Sequence, residues 1–221
     1  MKAIILAAGK GKRFGEITKI TPKPLIKLGD ITLIEHNILL LKKNGFNEII
    51  INVSHLSDLI VDFLGDGSKY GVNISYSVEK PEPLETGGGI IKALQFFENK
   101  PFLVINADIY TDCKLSKIKI SDSDFASLIM VTNPQHNIKG DFSILKNRIV
   151  LNNKDNMTYS GIGIFKPEFF KDCSVKKCKL IDILIGHIRN DKVSGYFHKG
   201  IWHDVGDVEK LKEVKNLFFD N

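Results

Sequence analysis

Lys2-Ala-Ile-Ile-Leu-Ala-Ala-Gly-Lys-Gly-Lys-Arg-Phe-Gly15 is the stretch that decides the fold. It begins as an apolar run and stops at Gly9, so it reads as a buried strand that delivers the chain into a turn. Gly9, Gly11 and Gly15 leave that turn without side chains, which lets successive backbone N–H groups close around an anion. Lys10, Lys12 and Arg13 add positive charge. Because the apolar stretch ends early and the cations follow it, the segment reads as a strand and not as a secretory leader.

Outward from this turn, strand-like runs at 2–7, 48–53, 72–77 and 102–105 alternate with helical periodicity at 33–43, 56–64 and 89–97. That alternation predicts crossover units and a largely parallel sheet. The 102–105 run is apolar on both faces, as an interior parallel strand should be. Beyond Asp108 the pattern loosens, with strands expected at 126–131, 142–145, 149–152, 159–165 and 193–197, and helices at 179–189 and 208–217. No repeat or linker interrupts the 221 residues, which predicts a single domain.

Composition narrows the function classes. With 43% hydrophobic and 26% charged residues, the chain has the makings of an ordered core. The formal charge of +5 is spread along the chain, and no basic run is interleaved with aromatics, so no nucleic-acid partner is expected. Three cysteines, Cys113, Cys173 and Cys178, form no paired spacing and fit a reducing compartment. No apolar run approaches the ~20 residues of a membrane helix, so the expectation is a soluble cytoplasmic protein without a membrane partner.

Three readings compete for the glycine turn. A dinucleotide-binding turn needs an acidic residue ~20 positions later at the end of a second strand, and none stands there. A P-loop needs Gly-Lys-Ser/Thr, which the chain lacks. The third reading rests on Thr21-Pro-Lys-Pro-Leu25, where two prolines restrict the backbone and present the Lys23 ammonium to a phosphate with little entropy lost. Two distant aspartates complete it: Asp108, after Phe102-Leu-Val-Ile-Asn-Ala, lies beyond the carboxyl end of an interior strand, where open parallel sheets bind ligands. Asp204 lies in Trp202-His-Asp-Val-Gly206. Together these residues suggest a site where phosphates and a divalent cation meet. Glu85-Thr-Gly-Gly-Gly89 precedes the predicted 89–97 helix, which places consecutive amides at a helix N-terminus, able to bond a base edge or an anion.

Leu6 to Arg13 and Pro22 to Pro24 match, residue for residue, the Leu-Ala-Ala-Gly-x-Gly-x-Arg and Pro-Lys-Pro signature of the sugar-1-phosphate nucleotidyltransferases, which this sequence resembles. The resemblance implies a Rossmann-like three-layer α/β fold, a mixed and mainly parallel sheet with helices on both faces. Its nucleotide-binding half would run over about 1–112, and a sugar-binding and lid half over about 113–221. It implies catalytic Arg13, Lys23, Asp108 and Asp204, with both aspartates holding Mg²⁺. The implied nucleotide contacts are Leu6, Ala7, Ala8, Gly9, Gly11, Lys12, Arg13, Lys23, Glu85, Gly87, Gly88 and Asn106. The family has a glycine where Ala107 stands, a change tolerated while φ there is negative. His203, beside Asp204, ranks below the aspartates as a ligand or base.

The Glu-Thr-Gly-Gly-Gly, Gly140-Asp-Phe, Tyr159-Ser-Gly and Trp-x-Asp-Val-Gly strings, with the short length lacking a C-terminal domain, resemble one subgroup. It uses UTP to uridylylate N-acetylmuramate 1-phosphate in peptidoglycan recycling. The implied sugar contacts are Gly140, Asp141, Asn152, Asn153, Tyr159 and Ser160, with the two asparagines standing where the subgroup carries a glutamate. UTP and a sugar 1-phosphate are the expected partners, and the chain is expected to act as a monomer or homodimer. Rival readings are a mannose- or heptose-1-phosphate guanylyltransferase, a cytidylyltransferase acting on an alcohol phosphate, and a nucleotide-sensing protein without turnover.

Overall fold

A computed structural model describes residues 1–151 and 154–219. Its main sheet runs, in spatial order, β3 (Asn73–Val78), β2 (Glu48–Val53), β1 (Ala3–Leu6), β4 (Phe102–Asn106), β9 (Thr158–Phe165), β6 (Ala126–Val131), β10 (Val193–Phe197), β8 (Arg148–Val150) and β7 (Ser143–Leu145). The first four are mutually parallel, with Ile4 opposite Ile50 on one side and Val104 on the other. β9 enters antiparallel between β4 and β6, and β10 restores parallel pairing with β6. A separate two-stranded ribbon pairs β5 (Ile109–Thr111) with β11 (Trp202–Asp204).

Alternation along the strands builds two cores. On one face Ala3, Ile5, Ile49 and Ile51 meet Ile34, Ile38 and Leu41 of α2 (Leu33–Lys43) and Ile60 and Leu64 of α3 (Ser57–Leu64). On the other, Ile4, Ile50 and Val104 meet Ile90 and Ile91 of α4 (Glu85–Ala93) and Leu180, Leu184 and Ile188 of α5 (Leu180–Arg189). Ile4 and Ile5 are both fully buried, and each such side chain contributes about 1.5–3 kcal/mol by burial. The result is the expected three-layer sandwich.

Local chemistry sets the helix ends. Thr32 and Glu35 form a reciprocal capping box at the start of α2, and Gly45, at φ +84°, follows its end. The predicted 89–97 helix is corrected: α4 begins at Glu85 and ends at Ala93, followed by a 3₁₀ turn over Leu94–Phe96. Three consecutive glycines read poorly as helix. They are helical here because Gly87, Gly88 and Gly89 are fully packed, where side chains would collide with Cys178, Lys176 and Glu79. The strand expected at 149–152 ends at Val150, and Asn152 itself lies outside the described residues.

A third, smaller cluster positions the site. Phe14 from the glycine turn, which α1 (Ile17–Ile20) follows, Ile26 and Leu28 from the chain after Pro24, Val205 after Asp204, and Leu211 and Val214 of α6 (Val208–Phe219) pack together. Three segments carrying predicted site residues, and α6 with them, are thereby fastened to one apolar knot. Among the described residues, no helix is long and apolar enough to cross a membrane.

Candidate active site

β1 ends at Leu6 in the middle of the parallel strands, and the chain then turns over their carboxyl ends. A cleft of about 620 Å³ opens there. Leu6, Ala7, Ala8, Gly9, Gly11, Lys12 and Arg13 line it from the turn, Lys23 from the Pro-Lys-Pro segment, Glu85 from the start of α4, and Asn106 and Asp108 from the end of β4. Among the described residues, none accepts a hydrogen bond from the backbone amides of Ala8, Gly9, Lys10 or Gly11. That is the condition of a loop able to receive phosphate oxygens.

Asp108 and Asp204, 96 positions apart in the chain, are joined by the β5–β11 ribbon. Asp204 stands opposite Ile109, and the Val205 amide donates to the Asp108 carbonyl at 2.8 Å. Each carboxylate is held by an ammonium. Lys23 Nζ lies 2.6 Å from Asp108 Oδ2, and Lys210 Nζ lies 2.9 Å from both oxygens of Asp204. Ala107, which precedes Asp108, keeps φ negative, and its carbonyl accepts from Asn37 Nδ2 at 3.1 Å. Asp112 is exposed and pairs with His198 at 2.9 Å, away from the cleft.

Arg13 reaches the same rim. Its guanidinium lies flat over Gly206, so closely that a β-carbon there would stand 2.8 Å from Nη1 and 3.0 Å from Cζ. The next residue, Asp207, accepts from the Lys210 amide at 3.0 Å, and that bond holds its carboxyl below the ordinary range, with Lys210 and Arg13 adding to the effect.

The base side differs from expectation. Gly87 and Gly88 are buried, and both of their amides donate to the Cys178 carbonyl, at 3.0 and 3.2 Å. They are therefore not free to bond a base edge; Glu85 and Thr86 line the cleft instead. Glu85 adopts φ +63°, a strained conformation for a side-chain-bearing residue. Two residues the motifs do not reveal organise this region. Asn52 Oδ1 accepts from the Ala7 amide at 2.6 Å, and Asn52 Nδ2 donates to Glu79 Oε1 at 2.7 Å. Glu79 Oε2 accepts from the Leu84 amide at 2.6 Å, so a single buried carboxylate ties the glycine turn to the approach of α4. Burial pushes that carboxyl above its ordinary range, and the two hydrogen bonds oppose the rise.

On the sugar side, none of the described candidates lines the cleft. Asn152 and Asn153 lie outside the described residues. Asp141 supports its own loop, with Oδ2 accepting from the Tyr159 amide at 2.8 Å and Oδ1 from Asn137 at 3.2 Å. Gly140, at φ +62°, lets that loop turn against Asn156. The hydroxyls of Tyr159 and Ser160 are buried, that of Tyr159 without a partner among the described residues and that of Ser160 accepting from the Ile162 amide. Neither side chain lines the cleft. Gly161 is required at φ +77° because the Asn106 side chain occupies the space a β-carbon would need. The residue this loop does bring to the aspartates is His136, with Nε2 3.3 Å from Asp204 Oδ2. His203, the motif histidine, sits near the Tyr110 ring instead.

Among the described residues, no three His, Cys, Asp or Glu side chains converge into an all-protein metal site. Asp108 lines the cleft and Asp204 lies beside it across the ribbon, a pair of carboxylates of the kind that suits Mg²⁺, which commonly takes one or two carboxylates and completes its shell with phosphate oxygens and water.

Residues 2–140 match the Nucleotidyl transferase family. The chain is 44% identical to the N-acetylmuramate alpha-1-phosphate uridylyltransferase of Neisseria meningitidis, over 98% of each chain. It is 32% identical to a D-glycero-alpha-D-manno-heptose 1-phosphate guanylyltransferase of Campylobacter jejuni, over 80% of this chain and 81% of that one. In three dimensions it resembles a sucrose-bound protein of Bacillus anthracis described as a glucose-1-phosphate thymidylyltransferase. The TM-score is 0.86 at 24% identity, covering 100% of this chain and 96% of the other.

Proposed function

As a member of the nucleotidyl transferase family, this chain is an enzyme of nucleotidyl transfer, and we propose that it moves a uridylyl group from UTP to N-acetylmuramate 1-phosphate, giving UDP-N-acetylmuramate and pyrophosphate. The observation that carries the reading is the convergence of Arg13, Lys23 and Asp108 on one cleft with free loop amides, next to Asp204. The near-full-length relationship to a uridylyltransferase of that substrate supports the choice of base and sugar. The guanylyltransferase reading draws on a more distant relationship covering less of the chain. The free cysteines and soluble substrates suit work in the cytoplasm.

The reaction joins two polyanions. An oxygen of the sugar phosphate attacks the α-phosphorus of UTP, a new P–O bond forms in line with the bond that breaks, and pyrophosphate leaves with the electron pair. The attacking phosphate is already an anion at neutral pH, so no protein base is required. Glycine-turn amides and Arg13 hold the triphosphate, and Lys23, restricted by its flanking prolines, neutralises charge that accumulates toward the transition state. Asp108 and Asp204 would hold Mg²⁺, which when bound supplies charge neutralisation between the two phosphates. Lys23 leaves its ion pair with Asp108 as the phosphates arrive. Asn52 and Glu79 act through position alone, fixing the spacing between the turn and the base loop.

The test is a panel of four nucleoside triphosphates against N-acetylmuramate, N-acetylglucosamine, mannose and heptose 1-phosphates, read by pyrophosphate release. UTP with N-acetylmuramate 1-phosphate is expected to give the highest kcat/KM. A clear preference for GTP would overturn the uridylyl reading, and silence across the panel would overturn catalysis.

A further inference from the structure

We propose that Lys210 and His136 are the receptor for the anionic oxygens of the acceptor, and that Asp204 holds them in place until metal arrives. The inference rests on the nucleotidyl-transfer reading and adds the group that recognises the second substrate. Lys210 Nζ spans both Asp204 oxygens at 2.9 Å, and His136 Nε2 lies 3.3 Å from Asp204 Oδ2 and 3.3 Å from Lys210 Nζ. One carboxylate therefore gathers three elements: the ribbon strand β11, the first turn of α6, and the loop after β6.

A divalent cation and an ammonium compete for the same carboxylate lone pairs. When Asp204 takes a metal, Lys210 gives up at least one of its two bonds. Its side chain is only 18% exposed, and an ammonium so placed is costly to leave unpaired. It needs a new anion close by. The cations assigned to the triphosphate, Arg13 and Lys23, line the cleft; Lys210 and His136 are not among its lining residues and sit on the Asp204 carboxylate. The loop that carries His136 is braced by Asn133, which donates to the Ile138 and Asn156 carbonyls, and by Asn137, which donates to Asp141. A braced loop can hold a receptor in place. The acceptor offers two anionic groups of suitable chemistry, its 1-phosphate and, in a muramate, the lactyl carboxylate.

Lys210→Met and Lys210→Arg test this. Steady-state kinetics with N-acetylmuramate 1-phosphate and N-acetylglucosamine 1-phosphate are combined with calorimetric titration of each acceptor into enzyme holding Mg²⁺ and a non-hydrolysable UTP analogue. In Lys210→Met, acceptor KM and Kd are expected to rise about ten- to a hundredfold, the range for a lost charged hydrogen bond, with the UTP KM unchanged and Lys210→Arg largely restored. Loss for both acceptors identifies the phosphate as the bound group; loss for the muramate alone identifies the carboxylate. An unchanged acceptor Kd in a variant that melts like the wild type overturns the proposal, as does a parallel rise in both KM values. Should Lys210→Met fail to fold, His136→Gln, in an exposed loop, is expected to weaken acceptor binding in the same pattern, and an unchanged Kd there overturns the proposal equally. A wild-type enzyme silent in turnover would strike the proposed function, while the calorimetric arm would still read the receptor.

Discussion

Gly206→Ala displaces the Arg13 side chain while leaving the backbone of the site free to keep its course. A β-carbon at residue 206 would meet Nη1 at 2.8 Å, Cζ at 3.0 Å and Nη2 at 3.0 Å, against ordinary contacts of 3.4 Å or more. The guanidinium must therefore retreat by roughly half an ångström or swing aside, which a flexible exposed side chain does at little cost in stability. Residue 206 has no positive φ, so alanine brings no backbone strain. Catalysis should suffer more than folding, since a misplacement on the order of 1 Å can cost about a hundredfold in rate. The expected outcome is a melting temperature close to wild type and a kcat/KM for UTP reduced about ten- to a hundredfold, measured by pyrophosphate release. Wild-type kinetics in the alanine variant would refute the assignment of Arg13 to the triphosphate.

Further outcomes follow from other contacts. Lys23→Met removes the cation 2.6 Å from Asp108 and should lower kcat about a hundredfold or more, with the UTP dependence measured alongside; a kcat near wild type would dismiss its role in the transition state. His36, whose burial lowers its pKa to about 4, is neutral in the fold while the unfolded chain takes up a proton below about 6.5. Its contribution is thus complete above that value and is lost as pH falls toward 4, roughly 3 kcal/mol in all. Urea melts of His36→Phe across this window should show a flatter acid limb than wild type. Gly186, exposed in the middle of α5 with open space where a β-carbon would go, should gain about 0.5–1 kcal/mol on substitution by alanine, checked by thermal melting.

What could be read in advance was what is written locally. The glycine turn and Pro-Lys-Pro place bare amides and a lysine at the cleft through backbone restrictions that the residues themselves impose. Asp108 was placed because a strand apolar on both faces has to be interior, and its carboxyl end has to open where ligands bind. Lys210, His136, Asn52 and Glu79 carry no such mark. Each is an ordinary polar residue whose role depends on partners 5 to 74 positions away. Lys210 had one available signal, its place one turn into the helix that follows an aspartate motif. Gly87 and Gly88 misled for the opposite reason: glycine invites a ligand-contact reading, whereas here it admits the Lys176–Cys178 backbone against α4. Tyr159 and Ser160, neighbours on β9, point to opposite faces of the sheet, and each hydroxyl is buried in the packing, which motif membership does not reveal.

The most direct test of nucleotidyl transfer through this cleft follows UTP labelled at the α-phosphorus, incubated with N-acetylmuramate 1-phosphate and Mg²⁺. The label should move into a UDP-sugar as unlabelled pyrophosphate appears in equal amount, and Asp108→Asn should abolish the transfer. Label that stays in UTP or emerges as UMP regardless of acceptor, or an Asp108→Asn variant as active as wild type, would contradict the account.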